Sequence, residues 1–246
     1  MLHTIISLLS TLQCRRWICP MPLRRSPRGV SKASIGQVDP SLIFTFLFGN
    51  DSFDEIVGRL QLVTQTLVGE SADATGQITR QQILELERRR VVRLAVALRD
   101  RIQLFVDGDA EDAKAQWTSK GEELVEVRYG EQILNTVGTM YKLVAKEVLG
   151  SWSEGMDAKV QAAGMKMDAV SKAAAAAQTT QTENTDGIPA MIEIMWNMTV
   201  IDISSTIREV VMKVLKDQSV TGDIRKKRAE AGHELGLIWE GQKKLV

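Results

Sequence analysis

The sequence predicts an all-α fold, and three observations lead to that prediction. From Asp39 onward, apolar residues recur at intervals of three and four, which places them on one face of a helix. No long segment alternates apolar and polar residues, and no Asn-Gly turn separates two such segments. Residues 156–178 are rich in alanine, the residue that most favours helix. We therefore expect a multi-helix domain with a long, lightly packed alanine-rich helix and a buried pair of C-terminal helices.

Charge divides the chain into a short leader and a large body. Residues 1–38 hold six of the 31 basic residues and none of the 31 acidic ones, which leaves residues 39–246 with an excess of acids. An acidic body has no general attraction for nucleic acid, whose affinity rests largely on neutralised phosphates. Apolar residues make up 44% and charged residues 25% of the chain, as in ordinary folded proteins. We expect residues 39–246 to form the helical body and to bind no nucleic acid.

The leader, residues 1–38, has two interpretations. Its apolar segment, Ile5 to Leu12, is far shorter than the ~20 residues that span a bilayer, and its arginines follow that segment, whereas a secretory signal begins with positive charge. Richness in Arg and Ser without acids is typical of an organellar transit peptide, while three prolines are typical of a disordered leader. We expect a cytoplasmic protein without a transmembrane segment, or a plastid or mitochondrial one if the leader is a transit peptide.

Both cysteines, Cys14 and Cys19, lie in the leader. A structural zinc site needs four ligands, and His3 is the one further candidate nearby. We therefore expect two unpaired thiols, no metal and no dependence of the body on disulfides.

The first two helices of the body are predicted from their boundaries. Asp39–Pro40 combines an N-cap residue with a proline at the first helical position, and the apolar helix 42–48 should end at Gly49. A second helix is expected to begin near Asp51 or Ser52. Its apolar face would contain Phe53, Ile56, Val57, Leu60, Val63 and Leu67.

A long helix is predicted from Thr79, a good N-cap residue, to Val106. Its run of arginines, Arg88–Arg90 with Arg93, lies largely off the apolar stripe. Such a run is found in nucleic-acid-binding helices, but Glu85 and Glu87 stand where they can pair with it. We interpret the arginines as a solvated helix face.

Two more helices are predicted before the alanine-rich segment. The first runs from Ala110 through Arg128, and the second begins after Tyr129–Gly130. A glycine within a helix, here Gly138, predicts a close approach of a neighbouring backbone. Tyr141 lies on the apolar face of the same helix and is expected to be a packing residue rather than a catalytic acid.

The strongest pattern belongs to the helix that begins at Gly187–Pro189. Apolar residues recur there at steps of four and three, a seam of the coiled-coil type, at Trp196, Val200, Ile203, Ile207, Val210 and Val214. A second, Met-rich face predicts that other parts of the same chain enclose this helix. Pairing of the seam with a second chain is the alternative.

The last helix is expected to run to about Gly241, with a basic cluster at Arg225–Arg228 near its start. Such a cluster is found in nuclear-localisation signals and phosphate-binding patches. Because Asp223 and Glu230 flank it, we interpret it as a solvated helix start.

No catalytic centre is expected. Nucleophilic catalysis needs a base beside a serine or cysteine, and the body holds one histidine, His233, among Glu230 and Glu234. Adjacent acids such as Asp54–Glu55 point in different directions around a helix and are poor acid–base pairs. The body also lacks a glycine-rich phosphate loop and metal-ligand spacings. We predict no catalytic residue, no metal and no cofactor.

Several of these segments, taken in order, resemble the X-domain found downstream of the J-domain in a group of eukaryotic DnaJ-type co-chaperones. The resemblance covers Asp39–Gln242. Its marks, which are also the expected family-motif and core positions, are Phe48, Gly49, Phe53, Gly58, Tyr129, Gly130, Gly138, Tyr141, Trp196, Asp202, Ile203, Thr206, Arg208, Val210, Arg225 and Arg228.

This resemblance implies a helical module that acts beside a chaperone cycle and binds clients or partner proteins. A J-domain stimulates its DnaK-class ATPase partner through a His-Pro-Asp loop, and these 246 residues contain no His-Pro pair. We therefore expect a non-catalytic protein-binding module that does not stimulate the ATPase by itself. The alternative is a helical oligomerisation or scaffold protein that uses the Trp196–Val214 seam.

Overall fold

The computed structural model describes residues 51–61, 63–64, 80–182 and 188–244. A short 3-10 turn, Asp51–Phe53, precedes six helices: α1 Arg80–Asp107, α2 Ala110–Val125, α3 Gly130–Leu149, α4 Trp152–Thr182, α5 Ile188–Leu215 and α6 Gly222–Gly241. The described ranges contain no strand, and the predicted all-α class is confirmed. The leader, the helix 42–48 with Phe48 and Gly49, and the cap at Thr79 lie outside the described residues.

The helix predicted to begin at residue 51 is wrong over its first half. The backbone N–H groups of Ile56, Val57 and Gly58 all donate to the carbonyl oxygen of Phe53, at 2.9, 2.9 and 3.4 Å, and form a single turn. This turn ends at Gly58, whose φ of +67° is the left-handed conformation that ends helices. The periodicity nevertheless marked the side chains that are buried here, which are Phe53, Ile56, Val57, Leu60 and Val63.

Helices α3 and α6 form the most extensive helix packing of the described part and meet at two glycines. A Cβ atom on Gly138 would lie 2.9 Å from the carbonyl oxygen of Gly236, and one on Gly236 would lie 2.8 Å from that of Gly138. The predicted close approach at Gly138 is confirmed. The sequence did not indicate which helix approaches it.

Aromatic residues fill the space beside this crossing. Tyr141 and Trp239 are fully buried with ring centroids 5.8 Å apart, and the Trp239 indole N–H donates to the carbonyl oxygen of Trp117 at 3.0 Å. The Arg101 guanidinium lies 5.2 Å from the centroid of the Trp239 ring, a cation–π distance. Burial raises the pKa of Tyr141, although the Arg101 charge opposes the rise. Tyr141 therefore stays protonated and serves as a packing residue.

Helix α5 contacts α1, α3, α4 and α6. In its second half, Ile203, Ile207, Val210 and Val214 are all buried. This half of the predicted seam is therefore enclosed by the chain's own helices. Together with α6, which carries the buried Trp239, it forms the predicted C-terminal helix pair.

Candidate protein-binding surface

The start of α4 is set by a capping interaction. The backbone N–H and the hydroxyl of Ser151 both donate to the Glu154 carboxylate, at 2.9 and 2.8 Å. These two hydrogen bonds lower the pKa of Glu154, which keeps a negative charge at the N-terminal end of the helix, where it is favourable. Trp152 is thereby held as the first residue of α4.

One face of α4 consists of small residues and packs against α3 and α5. Its buried members are Gly155, Ala158, Ala162, Ala169 and Ala176. Because these side chains are small or absent, α4 lies close to its neighbours while burying little apolar area. The expectation of a lightly packed alanine-rich helix is confirmed.

A second face of α4 carries a row of exposed large apolar side chains, here called the α4 stripe. Its members are Trp152, Met156, Val160, Met167 and Val170. At about 100° and 1.5 Å per residue, they fall within an arc of about 80° and form a row about 27 Å long. Trp152 is 84% exposed and Met167 is 69% exposed. Folded proteins rarely leave such a row uncovered, and rows of this kind mark sites of protein interaction.

Charged residues border the α4 stripe. On the helix surface, Lys159 and Lys166 fall along one edge, seven residues apart, while Asp157 and Asp168 fall beyond the other edge. Partial burial and the neighbouring Arg208 charge lower the pKa of Lys166. The stripe is therefore an apolar seam with a basic border on one side and an acidic border on the other.

Sequence reasoning missed the α4 stripe because the alanines dominate this segment and give it a low apolar moment. A signal was present in the spacing of its large residues, which follow one another at intervals of four, four, seven and three. These intervals keep all five on one side of a helix. The sequence does not show, however, that the opposite, small-residue face is the one that packs.

A buried ion pair joins α1 to α5. The Arg90 Nη1 donates to both carboxylate oxygens of Asp202, at 2.9 and 3.2 Å, and to Glu87 at 3.2 Å. The Arg90 Nε donates to the carbonyl oxygen of Val57 at 2.9 Å, which holds the turn that ends at Gly58.

Two further hydrogen bonds complete this network. The backbone N–H of Gln61 donates to Asp202 at 2.9 Å, and the Thr206 hydroxyl donates to Glu87 at 2.9 Å. The network therefore ties the 51–64 segment, α1 and α5 together. Among its members, Asp202 and Thr206 were expected as motif residues.

The interpretation of the α1 arginines as a solvated face is wrong for Arg90. Only 6% of its side chain is exposed, whereas Arg89 is 73% exposed and pairs with Glu85 at 2.9 Å as expected. Neighbouring residues on α1 thus have opposite environments. The sequence could not reveal this, because the Asp202 carboxylate that neutralises Arg90 lies 112 residues away along the chain.

The remaining motif residues lie at separate joints between helices. Tyr129 has a φ of +57° at the start of α3, and its ring stacks on Trp196 with centroids 5.9 Å apart. Gly130 lies against the backbone of Leu124, which leaves no space for a side chain. Arg208 pairs with Glu147 at 2.7 Å. The structure therefore does not bring the motif residues together into one site.

The basic cluster at the start of α6 is largely occupied by internal partners. Arg228 is buried and donates to the carboxylate of Asp217 at 3.1 Å and to the carbonyl oxygen of Val214 at 3.3 Å. The Arg225 Nη1 donates to the backbone carbonyls of Asp217 and Val220. The interpretation of this cluster as a solvated helix start is therefore wrong for Arg228, because its side chain closes the turn between α5 and α6.

The other titratable groups show no catalytic arrangement that we recognise. His233 lies 4.0 Å from the Glu234 carboxylate on the same helix. Across the described ranges, no three His, Cys, Asp or Glu side chains are grouped so that they could hold a metal ion. The helices described here also include none that is long and apolar enough to cross a membrane.

Comparison with known families agrees with this architecture. The family model of the DnaJ-X domain, the X-domain of DnaJ-containing proteins, matches residues 87–186 and 152–245. These residues extend from α1 to beyond the end of α6 and make up well over half of the chain. The chain therefore belongs to the DnaJ-X family, as its motifs indicated, and this links it to DnaJ-type chaperone systems. No solved structure matches the chain.

Proposed function

We propose that this chain is a non-catalytic protein-binding module of a DnaJ-type chaperone system, and that the α4 stripe is its binding surface. The stripe is the observation that carries the proposal, because it is a long apolar row with no covering element among the described residues. Family membership supports the chaperone context.

The partner that fits this surface is an amphipathic helix with acidic residues along one edge. Intervals of four and three match the apolar seam of a second helix, whose side chains fit between those of the stripe. The Lys159 and Lys166 edge calls for acidic residues on the partner. An antiparallel second copy of α4 fits less well, since its own lysine edge would lie against this one.

Direct binding to a synthetic helix tests the proposal. The probe has leucine at the a and d positions of each heptad and glutamate along one edge, and its control has lysine along that edge. We expect the glutamate peptide to bind at least about ten-fold more tightly. A triple variant with Met156→Ser, Val160→Ser and Met167→Ser should lose this binding.

The matched control replaces exposed apolar residues of α1, with Leu84→Ser, Val92→Ser and Val96→Ser. It removes a similar exposed apolar area and should bind the glutamate peptide as the wild type does. Equal loss in both variants, or no binding of either peptide, would contradict the proposal. A dimer detected by light scattering and lost in the triple variant would mean that a second copy occupies the stripe.

The chain's own sequence supports the absence of ATPase stimulation. Its histidines are followed by Thr4 and Glu234, so the His-Pro-Asp loop does not occur in these 246 residues. We propose that the purified chain leaves the single-turnover ATPase rate of a DnaK-class protein unchanged. An accelerated rate would refute this part of the proposal.

The oligomerisation alternative, through the Trp196–Val214 seam, receives less support. Ile203, Ile207, Val210 and Val214 already pack inside the chain, so this half of the seam has no free surface to offer. We also propose a cytoplasmic location, with residues 1–38 as a separate leader. A fluorescent fusion that enters plastids or mitochondria, and stays outside them when residues 1–38 are deleted, would show that the leader is a transit peptide.

A further inference from the structure

A pocket of about 390 Å³ opens beside the Arg90–Asp202 ion pair, between the 51–64 segment and the first turns of α1. Its lining includes four arginines, Arg59, Arg89, Arg90 and Arg93, and two acids, Asp54 and Glu87. The lining therefore carries an excess of positive charge, although the body as a whole is acidic. We call it the arginine pocket.

Three of the four guanidinium groups can reorient toward a ligand. Arg93 pairs with Asp54 at 3.2 Å and Arg89 pairs with Glu85 at 2.9 Å, and both pairs are at least half exposed. Exposed pairs of this kind stabilise a fold little, so a ligand carboxylate can replace them. The Arg59 side chain is exposed, and no ion pair joins it to the described part of the chain.

The fourth guanidinium, that of Arg90, is fixed and still has donor capacity. Val57, Glu87 and Asp202 accept from its Nε and Nη1. Its Nη2 is buried and has no hydrogen-bond partner within the described residues. A buried donor without an acceptor is costly, so an oxygen that reached it would bind favourably.

The pocket also offers apolar surface. Ile83 and Leu86 of α1 line it beside the guanidinium groups. A ligand that fills it therefore combines an oxyanion with a neighbouring apolar group. Arginine forks match carboxylates, which accept two parallel hydrogen bonds from one guanidinium.

We propose that the arginine pocket binds a short acidic peptide segment in which an apolar residue stands next to the acid. A nucleic-acid strand fits less well, because Asp54 and Glu87 would repel its continuous row of phosphates. This site is on α1 and the 51–64 segment, and it is separate from the α4 stripe in both chemistry and sequence. The chain would then hold two proteins, or two parts of one protein, at once.

Fluorescence anisotropy with a labelled peptide of alternating leucine and glutamate tests the proposal. Its control peptide has glutamine in place of glutamate. We expect the glutamate peptide to bind, the glutamine peptide to bind at least about ten-fold more weakly, and added salt to weaken the glutamate complex. Unlabelled single-stranded DNA of similar charge should displace it poorly.

The matched variants reverse charge inside and outside the pocket. Arg59→Glu with Arg93→Glu should weaken peptide binding at least about ten-fold, while Arg99→Glu, an exposed α1 arginine outside the pocket, should not. Thermal unfolding checks that each variant is folded, and Arg59→Glu alone replaces the double variant if the latter is unstable. Absence of binding, equal binding of both peptides, equal effects of Arg99→Glu, or efficient displacement by DNA would each overturn the proposal.

Discussion

Gly138 of α3 and Gly236 of α6 face each other so closely that each would place a Cβ atom within 2.9 Å of the other's carbonyl oxygen. The contact on both sides is backbone, which cannot move aside as a flexible side chain can. This crossing sets the positions of residues around it. Tyr141 meets Trp239 there, and the Lys142 ammonium and the Thr139 hydroxyl both donate to the Glu240 carboxylate.

We expect Gly138→Ala and Gly236→Ala to destabilise the fold by about 3 kcal/mol or more, because the added methyl groups force α3 and α6 apart. Chemical denaturation measures the change. The control is Gly164→Ala on α4, where nothing lies within 4 Å of the new Cβ, and it should raise stability by about 0.5 to 1 kcal/mol. Equal stability of Gly138→Ala and wild type would show that the crossing is looser than described.

Arg90 and Asp202 form the ion pair that joins α1 to α5. Arg90→Met should lower the free energy of unfolding by about 3 kcal/mol, because it leaves the carboxylates of Asp202 and Glu87 without their cation. Adding Asp202→Leu should recover part of this loss. The exposed pair is the control: Arg89→Met should change stability by about 1 kcal/mol or less, and similar losses at both positions would contradict the different burial of the two arginines.

Ile203 is fully buried on α5, while Ser205 of the same helix is exposed. Ile203→Asp should unfold the body, since it buries a charge without a partner. Ser205→Asp should leave the melting temperature close to that of the wild type. Circular dichroism on heating compares them, and an unchanged melting temperature for Ile203→Asp would mean that the seam is exposed after all.

Asp217 gives a prediction for pH. The hydroxyl and backbone N–H of Ser219, followed by the Arg228 guanidinium, lower the pKa of Asp217 from 3.8 to about 2. Since the folded-state pKa is the lower one, this carboxylate stabilises the fold at and above pH 3.8, and the contribution is lost as the pH falls toward about 2.

Asp217→Asn should therefore lower the melting temperature at neutral pH and flatten its dependence on pH between 3.8 and about 2. Ser219→Ala, which removes one of the hydrogen bonds, should raise the carboxyl pKa of Asp217 part of the way toward its ordinary value. An NMR titration measures this pKa directly. A value near 3.8 in the wild type would refute the role assigned to Ser219 and Arg228.

The predictions from sequence succeeded where local pattern decides structure. The start of α5 near Pro189, the end of α6 at Gly241 and the close approach at Gly138 all depend on residues within one or two helical turns. Boundaries failed where a single backbone conformation intervened. Five buried apolar residues between Phe53 and Val63 mimic a helix, but the left-handed Gly58 ends the turn between them.

The candidate sites depended on distant partners. Nothing near Arg90 distinguishes it from Arg89, and its burial follows from Asp202 on another helix. The same holds for α4, where alanines and large apolar residues are both visible in the sequence. Which of these two faces is buried depends on the surface that α5 presents.

By itself, the sequence determined that this chain is helical, that it belongs among the DnaJ-X proteins, and which of its residues face inward along each helix. These properties follow from helix periodicity and from motifs that are read in order along the chain. The tertiary structure alone decided that the small-residue face of α4 packs and leaves Trp152 and Met167 exposed, and that Arg90 is neutralised by Asp202. Both outcomes depend on contacts between segments far apart in sequence, because the environment of a side chain is set by the helix opposite it as much as by its own.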